Sequence, residues 1–326
     1  MAVHLSLGVP SSPLPLTFLR PPKLLSEPII KNPSRTSFLG SRCASSFPAS
    51  SPMESRPKLM EFPHLLAPHR DLMITLIAAL ETRLDSHLLP VSLPPDVEFY
   101  QNETNSSQGS LCIRKGRDSS PIDFMLASWL HLKQPSGDAF NITNLQVYLK
   151  PTTNAPHFQF ELVQCSPTYL IFFLDLTPRK DLVLNPDYLK TFYEHNQLEP
   201  LRRQLDELVP ESKPYFSSSL YFRQVVSPTG ILVSIKSEAA DGRIEEIMRD
   251  NISPIANQVL GLWIDECDFE GSGNVVGENE KSELEKRDYM IKSKAVQMDL
   301  SASMPLQFGQ EVADRVLGVI RTVFNI

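Results

Sequence analysis

The sequence predicts an α/β fold, a three-layer α/β/α sandwich around a central antiparallel sheet. Three observations carry that expectation. Six strand-like segments follow one another from 96 to 176 with no helical pattern between them. Their links are short and hold turn formers, as in Pro135-Ser136-Gly137-Asp138 and Pro151 to Asn154, and consecutive strands so joined pair antiparallel. Helical periodicity stands before this block and after it, so helices can cover both faces of the sheet.

The elements follow in order. Residues 1 to 53 hold five basic residues, one acid (Glu27), eleven serines and nine prolines. That composition matches an organellar transit peptide, and its scattered prolines suit a plastid address. Residues 1–50 are read as this peptide, cleaved between Cys43 and Pro57, and 58–326 as a single domain. The remainder, 54 to 326, has 26 basic and 37 acidic residues, a net of −11. Met73, Leu76, Ile77, Leu80 and Leu84 recur at helical spacing and predict a helix over 68–86. Strands are expected at 96–101, 109–115, 121–132, 139–150, 157–165 and 168–176. Asn185-Pro186 reads as a cap with proline at the first helical position, opening a helix near 186–206. A Pro- and Ser-rich passage, 210–230, leads to a strand at 231–235. Helices are expected near 241–252, 254–267 (Ser253 as cap), 278–290 and 309–324.

Composition excludes several classes. No apolar run reaches the roughly 18 residues of a membrane span. Nucleic acid is a poor partner for an acidic body whose basic clusters are short. Cys43, Cys112, Cys165 and Cys267 form no C-x-x-C pair and no zinc spacing; Cys112 and Cys165 read as buried strand thiols. His131 and His157 lie near strands and read as residues that satisfy core groups rather than metal ligands. Gly271-Ser272-Gly273 with Gly277 has the wrong spacing, and follows the wrong element, for a dinucleotide loop.

One acid stands out. In HFQFELVQC, 157–165, alternation puts Phe158, Phe160 and Leu162 on one face and Gln159, Glu161 and Val163 on the other. On a solvated sheet Glu161 is simply an outward residue. Under a covered sheet it must be buried, paired or lining a cavity, and the strand Tyr169 to Leu174, apolar on both faces, favours that case. Asp299, in VQMDLS, falls between predicted helices, and Asp175 closes the apolar strand LIFFLDL. Taken alone, each reads as a cap or turn residue.

MEFP (60–63), SSPIDF (119–124), LDLTPRKDLVLNPDYLK (174–190), SLYFRQVVSPT (219–229), RDNISP (249–254), VVGE (275–278) and ELEKRD (283–288) together resemble the red chlorophyll catabolite reductases of plants, from about residue 60 to the C-terminus. The resemblance implies a chloroplast stromal enzyme with the α/β/α sandwich of ferredoxin-dependent bilin reductases. Such an enzyme reduces a methine-bridge double bond of red chlorophyll catabolite, the pigment released by pheophorbide a oxygenase, to give primary fluorescent chlorophyll catabolite. Reduced ferredoxin supplies electrons from outside; no bound cofactor and no metal are expected, and relatives suggest a homodimer. By motif match the family's functional carboxylates fall on Glu161 and Asp299, and its substrate contacts on Tyr215, Phe216 and Ser217. A carboxyl donating near neutral pH needs a raised pKa, which burial supplies. Val226, before SPT, stands where the family decides which product epimer forms, and Arg223 is a candidate partner for the substrate propionate. Against an acidic ferredoxin the body needs a local basic patch, for which Arg179, Lys180, Arg202 and Arg203 are candidates. Two alternatives remain open: a non-catalytic tetrapyrrole carrier, and a bilin reductase acting on biliverdin.

Overall fold

The computed structural model describes residues 58–326 except 135–136, 239, 268 and 270–275, and the backbone alone at Lys58 and Asp299. The predicted transit peptide and Gly271-Ser272-Gly273 lie outside the described residues. A first helix, α1 (Ala67–Leu84), and a single turn, α2 (Pro95–Glu98), precede the strands β1 (Phe99–Gln101), β2 (Ser107–Lys115), β3 (Ile122–Lys133), β4 (Ala139–Leu149), β5 (His157–Ser166) and β6 (Tyr169–Thr177). After them come α3 (Pro186–Leu189), α4 (Leu198–Leu208), β7 (Ser212–Pro214), α5 (Leu220–Val225), β8 (Ile231–Lys236), α6 (Arg243–Ile247), α7 (Ser253–Glu266), α8 (Glu278–Ala295), α9 (Ser301–Phe308) and α10 (Gln310–Phe324). The eight strands form one sheet in the order β1-β2-β3-β4-β5-β6-β8-β7, and every pairing is antiparallel. The expected meander is therefore present as its first six strands.

Both faces are covered. On one, Phe158, Phe160 and Leu162 join the core with Met73, Leu76 and Leu80 of α1 and Val259 and Trp263 of α7. The Trp263 ring lies 5.6 Å from Phe158, and its indole N–H donates to the Pro156 carbonyl at 2.8 Å. On the other face, Phe324 of α10 stacks on Phe124 at 5.0 Å, and Phe222 of α5 meets Phe173 edge-on at 5.3 Å. Alternation along each strand thus feeds two cores, as a sheet between helix layers requires.

Several expected elements differ. The strand expected at 96–101 begins only at Phe99, because Pro95 opens a helical turn instead. The helix expected over 186–206 is broken: α3 passes into a π-helical turn, Lys190–Glu194, and helix resumes at Leu198. Asn185 holds the cap position, yet its side chain donates to the Asp181 carbonyl and makes no cap bond. Ser253 is no cap either, since α6, a π-helical turn (Met248–Ile252) and α7 run on with helical backbone throughout. The widened turn falls immediately before Pro254, where a missing N–H interrupts the four-residue ladder. In the same way α8 passes through a π-helical turn, Val296–Leu300, into α9, so Asp299 lies within a helical run and not between helices.

Candidate functional site

Glu161 is 3 % exposed, which decides between its two readings in favour of the covered face. Register then fixes its neighbours. Across the sheet Ser128 pairs with Asn144, Asn144 with Glu161, Glu161 with Phe173, and Phe173 with Leu232. The row continues through a backbone bond from Tyr215 N–H to the Leu232 carbonyl at 2.9 Å. At about 4.8 Å per strand, Glu161 and Tyr215 stand roughly 14 Å apart along this row. Gln146 and Gln159 form the next polar pair on the same face, and both are buried. Polar side chains beneath helices are retained only where something satisfies them.

The other expected site residues separate into groups. Tyr215 is raised above the ordinary phenol range by burial first, then by the charges of Tyr169, Cys165 and Glu161, so it feels the carboxyl of Glu161. Ser217 is buried, and its hydroxyl accepts from the Ser219 N–H at 3.2 Å. Phe216 turns outward, at 78 % exposure, and Arg223 is also exposed. Val226 is half-buried beside Gly230: a Cβ at that glycine would meet Val226 Cγ1 at 2.8 Å and Asp175 Oδ1 at 2.9 Å. The Asp299 side chain lies outside the described residues. A cavity of about 760 Å³ opens between α5, α8 and residues 179–185, with Tyr221, Val225, Arg287 and Met290 among its walls; Glu161 does not line it.

Asp175 is more than a strand-end residue. It pairs with Gln159, one step along from the Glu161–Phe173 pair, on the same face. Its carboxylate accepts from the Ser227 N–H at 3.2 Å, the Ser227 hydroxyl at 2.5 Å and the Thr177 hydroxyl at 3.1 Å. Burial pushes the group up to about 6 although these donors favour its anion. Ser227 N–H and Oγ–H thereby tie the turn Ser227-Pro228-Thr229-Gly230, closed by Gly230 N–H to the Ser227 carbonyl at 3.2 Å, to the floor of the sheet. Val226 is the residue just before this turn.

A second buried cluster anchors α8. Arg179 donates through Nε and Nη2 to Asp288, at 3.1 and 2.5 Å, and through Nη1 to the Thr153 carbonyl at 2.6 Å. His157 Nδ1 accepts from the Leu149 N–H at 3.1 Å, so its proton sits on Nε2 and is donated to Asp288 at 3.0 Å. Burial holds the imidazole down to about 4. Burial pulls the Asp288 carboxyl upward, but the charges and hydrogen bonds of His157 and Arg179 overcome it and hold the group well below the carboxylate range. His157 therefore satisfies a core network, as expected, and His131 likewise bonds Asn141 at 2.8 Å. Cys112 is buried as expected, whereas Cys165 is only half-buried.

This cluster corrects the expected basic patch. Arg179 is buried and committed to Asp288. Lys180 pairs with Glu280 at 2.5 Å, and Arg202 and Arg203 both pair with Glu199. Carboxylates of α8 pair with Arg179 and Lys180, and carboxylates of their own helix α4 pair with Arg202 and Arg203, so all four have an acidic partner. Among the described residues no group of His, Cys, Asp and Glu could hold a metal ion, and no helix is long and apolar enough to cross a membrane.

The antiparallel sheet between helix layers has a counterpart of the same fold in a solved bilin-binding protein. Tomato phytochromobilin synthase, solved in complex with biliverdin, superposes with a TM-score of 0.58 at 14 % identity, covering 79 % of this chain and 83 % of that one. Sequence narrows the class further. The model of the red chlorophyll catabolite reductase family matches residues 68–322, and the chain belongs to that family. Similar relatives are the red chlorophyll catabolite reductase, chloroplastic, of Arabidopsis thaliana, 45 % identical over 83 % of this chain and 85 % of the relative, and red chlorophyll catabolite reductase 1, chloroplastic, of Oryza sativa subsp. japonica, 39 % identical over 88 % and 87 %.

Proposed function

We propose that this chain is a plastid reductase that converts red chlorophyll catabolite to primary fluorescent chlorophyll catabolite with electrons from reduced ferredoxin, acting in the stroma. The substrate gains two electrons, one from each of two ferredoxins, and two protons, which add across one methine-bridge double bond. The pigment is itself the electron acceptor. The chain's task is to hold it, keep water from the one-electron intermediate and deliver protons.

The observation that carries this reading is the burial of Glu161 in a cross-strand row, polar at Asn144 and Ser128 on one side and continuing through Phe173 and Leu232 to Tyr215 on the other. A carboxyl removed from water can keep its proton near neutral pH, and Glu161 and Asp299 are the proposed donors. Tyr215 and Ser217 supply an aromatic face and a hydroxyl for a flat ligand with polar edges. Phe216 is the contact least supported by its outward ring. Val226, fixed beside Asp175, walls the site and bears on which epimer forms.

The test is an anaerobic assay with ferredoxin, its NADPH-driven reductase and red chlorophyll catabolite, scored for a blue-fluorescent product. The expected result is turnover by the parent chain and a fall of at least about 100-fold in Glu161→Gln, with pigment affinity kept within about threefold. Equal turnover by the two proteins removes the proton-donor role. Pigment binding without product supports the carrier, and preferential reduction of biliverdin supports the bilin reductase.

A further inference from the structure

Asn144 is the polar neighbour of Glu161 on β4, paired with it directly across the strands. It lies on the same face, since directly opposed residues of antiparallel strands project together. The side chain is 7 % exposed, and its carbonyl oxygen is buried with no hydrogen-bond partner. On the far side of Asn144 the row continues to Ser128, also 7 % exposed. Flanking positions on the opposite face of β4 are Thr143 and Leu145, and Thr143 has its own partner in His69 at 2.7 Å. An amide oxygen held dry without a partner costs about as much as the hydrogen bond it forgoes.

We propose that Asn144 is a substrate-binding residue, its side-chain amide hydrogen-bonding a polar edge of the tetrapyrrole next to the group that Glu161 serves. This rests on the reading of Glu161 as a pigment-facing carboxyl. The chemistry is complementary. A linear tetrapyrrole presents pyrrole N–H donors and lactam carbonyl acceptors along one edge, and a carboxamide offers one acceptor and one donor at fixed separation. Beside a carboxyl it sets which ring rests against the proton donor, so Asn144 selects the register of the pigment along the row toward Tyr215.

The experiment compares Asn144→Leu, which keeps the branched shape and cannot hydrogen-bond, with the parent chain. Pigment affinity is read by absorbance titration with red chlorophyll catabolite, and unfolding temperature is read on the pigment-free proteins. The expected result is a dissociation constant raised about tenfold, the factor for one lost hydrogen bond in a dry site, with an unfolding temperature unchanged or higher. Asn144→Gln, which restores the amide one methylene further out, is expected to recover part of the affinity. Unchanged affinity in a folded Asn144→Leu overturns the proposal, and so does a lowered unfolding temperature with affinity intact, which is the signature of a structural amide. Absence of pigment binding by the parent chain would instead remove the reading of the site on which the proposal stands.

Discussion

Asp288→Ala tests how much the chain depends on the buried charge cluster under α8. The side chain of Arg179 is fully buried, and Asp288 is its sole carboxylate partner among the described residues. Without Asp288 the guanidinium keeps backbone carbonyls at Lys150, Thr153 and Ala155 but loses its counter-charge, and His157 Nε2–H loses its acceptor. Removing one partner of a buried pair costs about 3–5 kcal/mol, a large share of the roughly 5–15 kcal/mol that holds a domain together. At about 2 °C per kcal/mol for a domain of this size, the unfolding temperature falls by roughly 8 °C. Thermal unfolding followed by circular dichroism, with urea titration for the free energy, measures it. Arg179→Met combined with Asp288→Leu, which removes both charges, is expected to recover most of the loss. A single-variant loss below about 1 kcal/mol would show that Arg179 does not need its carboxylate and refute the argument.

Further outcomes follow from the same geometry. His69 is buried beside Thr143, and burial lowers it to about 3 from its ordinary 6.5. The unfolded chain therefore binds the extra proton between those values, so this stabilisation is complete above pH 6.5 and is lost as pH falls toward 3. In His69→Gln the slope of stability against pH over 4 to 6 shrinks by about 1.4 kcal/mol per pH unit, which urea titrations at several pH values resolve. Asp175→Ala strands the Ser227 N–H and hydroxyl, costs about 2 kcal/mol by the same titration, and loosens the turn behind Val226, so product epimers analysed by chiral chromatography are expected to mix. A single epimer from that variant would detach Val226 from Asp175.

Much of this architecture could be read from the chain because it depends on neighbours in sequence. Period-two alternation placed Glu161 opposite the phenylalanines, and short turns between six strands imposed the meander. What could not be read depends on partners far along the chain. Asp175 looks like a strand end until Ser227, 52 residues on, closes over it. Arg179 looks like surface charge until Asp288, 109 residues away, buries it. Asn144 shares its parity along β4 with Gln146 and would have drawn attention once the β4–β5 register tied both to Glu161 and Gln159. The three π-helical turns described leave no mark in periodicity, because one extra residue per turn only shifts the phase of the stripe; hence the unforeseen break at Lys190–Glu194, the boundary expected at Ser253, and Asp299 read as lying between helices.

The two margins of the sheet are both three-residue strands, β1 and β7, and the latter ends Lys213-Pro214, both exposed. A stub bearing a charge and a residue without an N–H offers an incoming strand almost nothing to grip. The β7 margin is thus guarded against growing by addition of another molecule's strand. A protein that handles a sticky pigment keeps its own backbone from becoming an aggregation template.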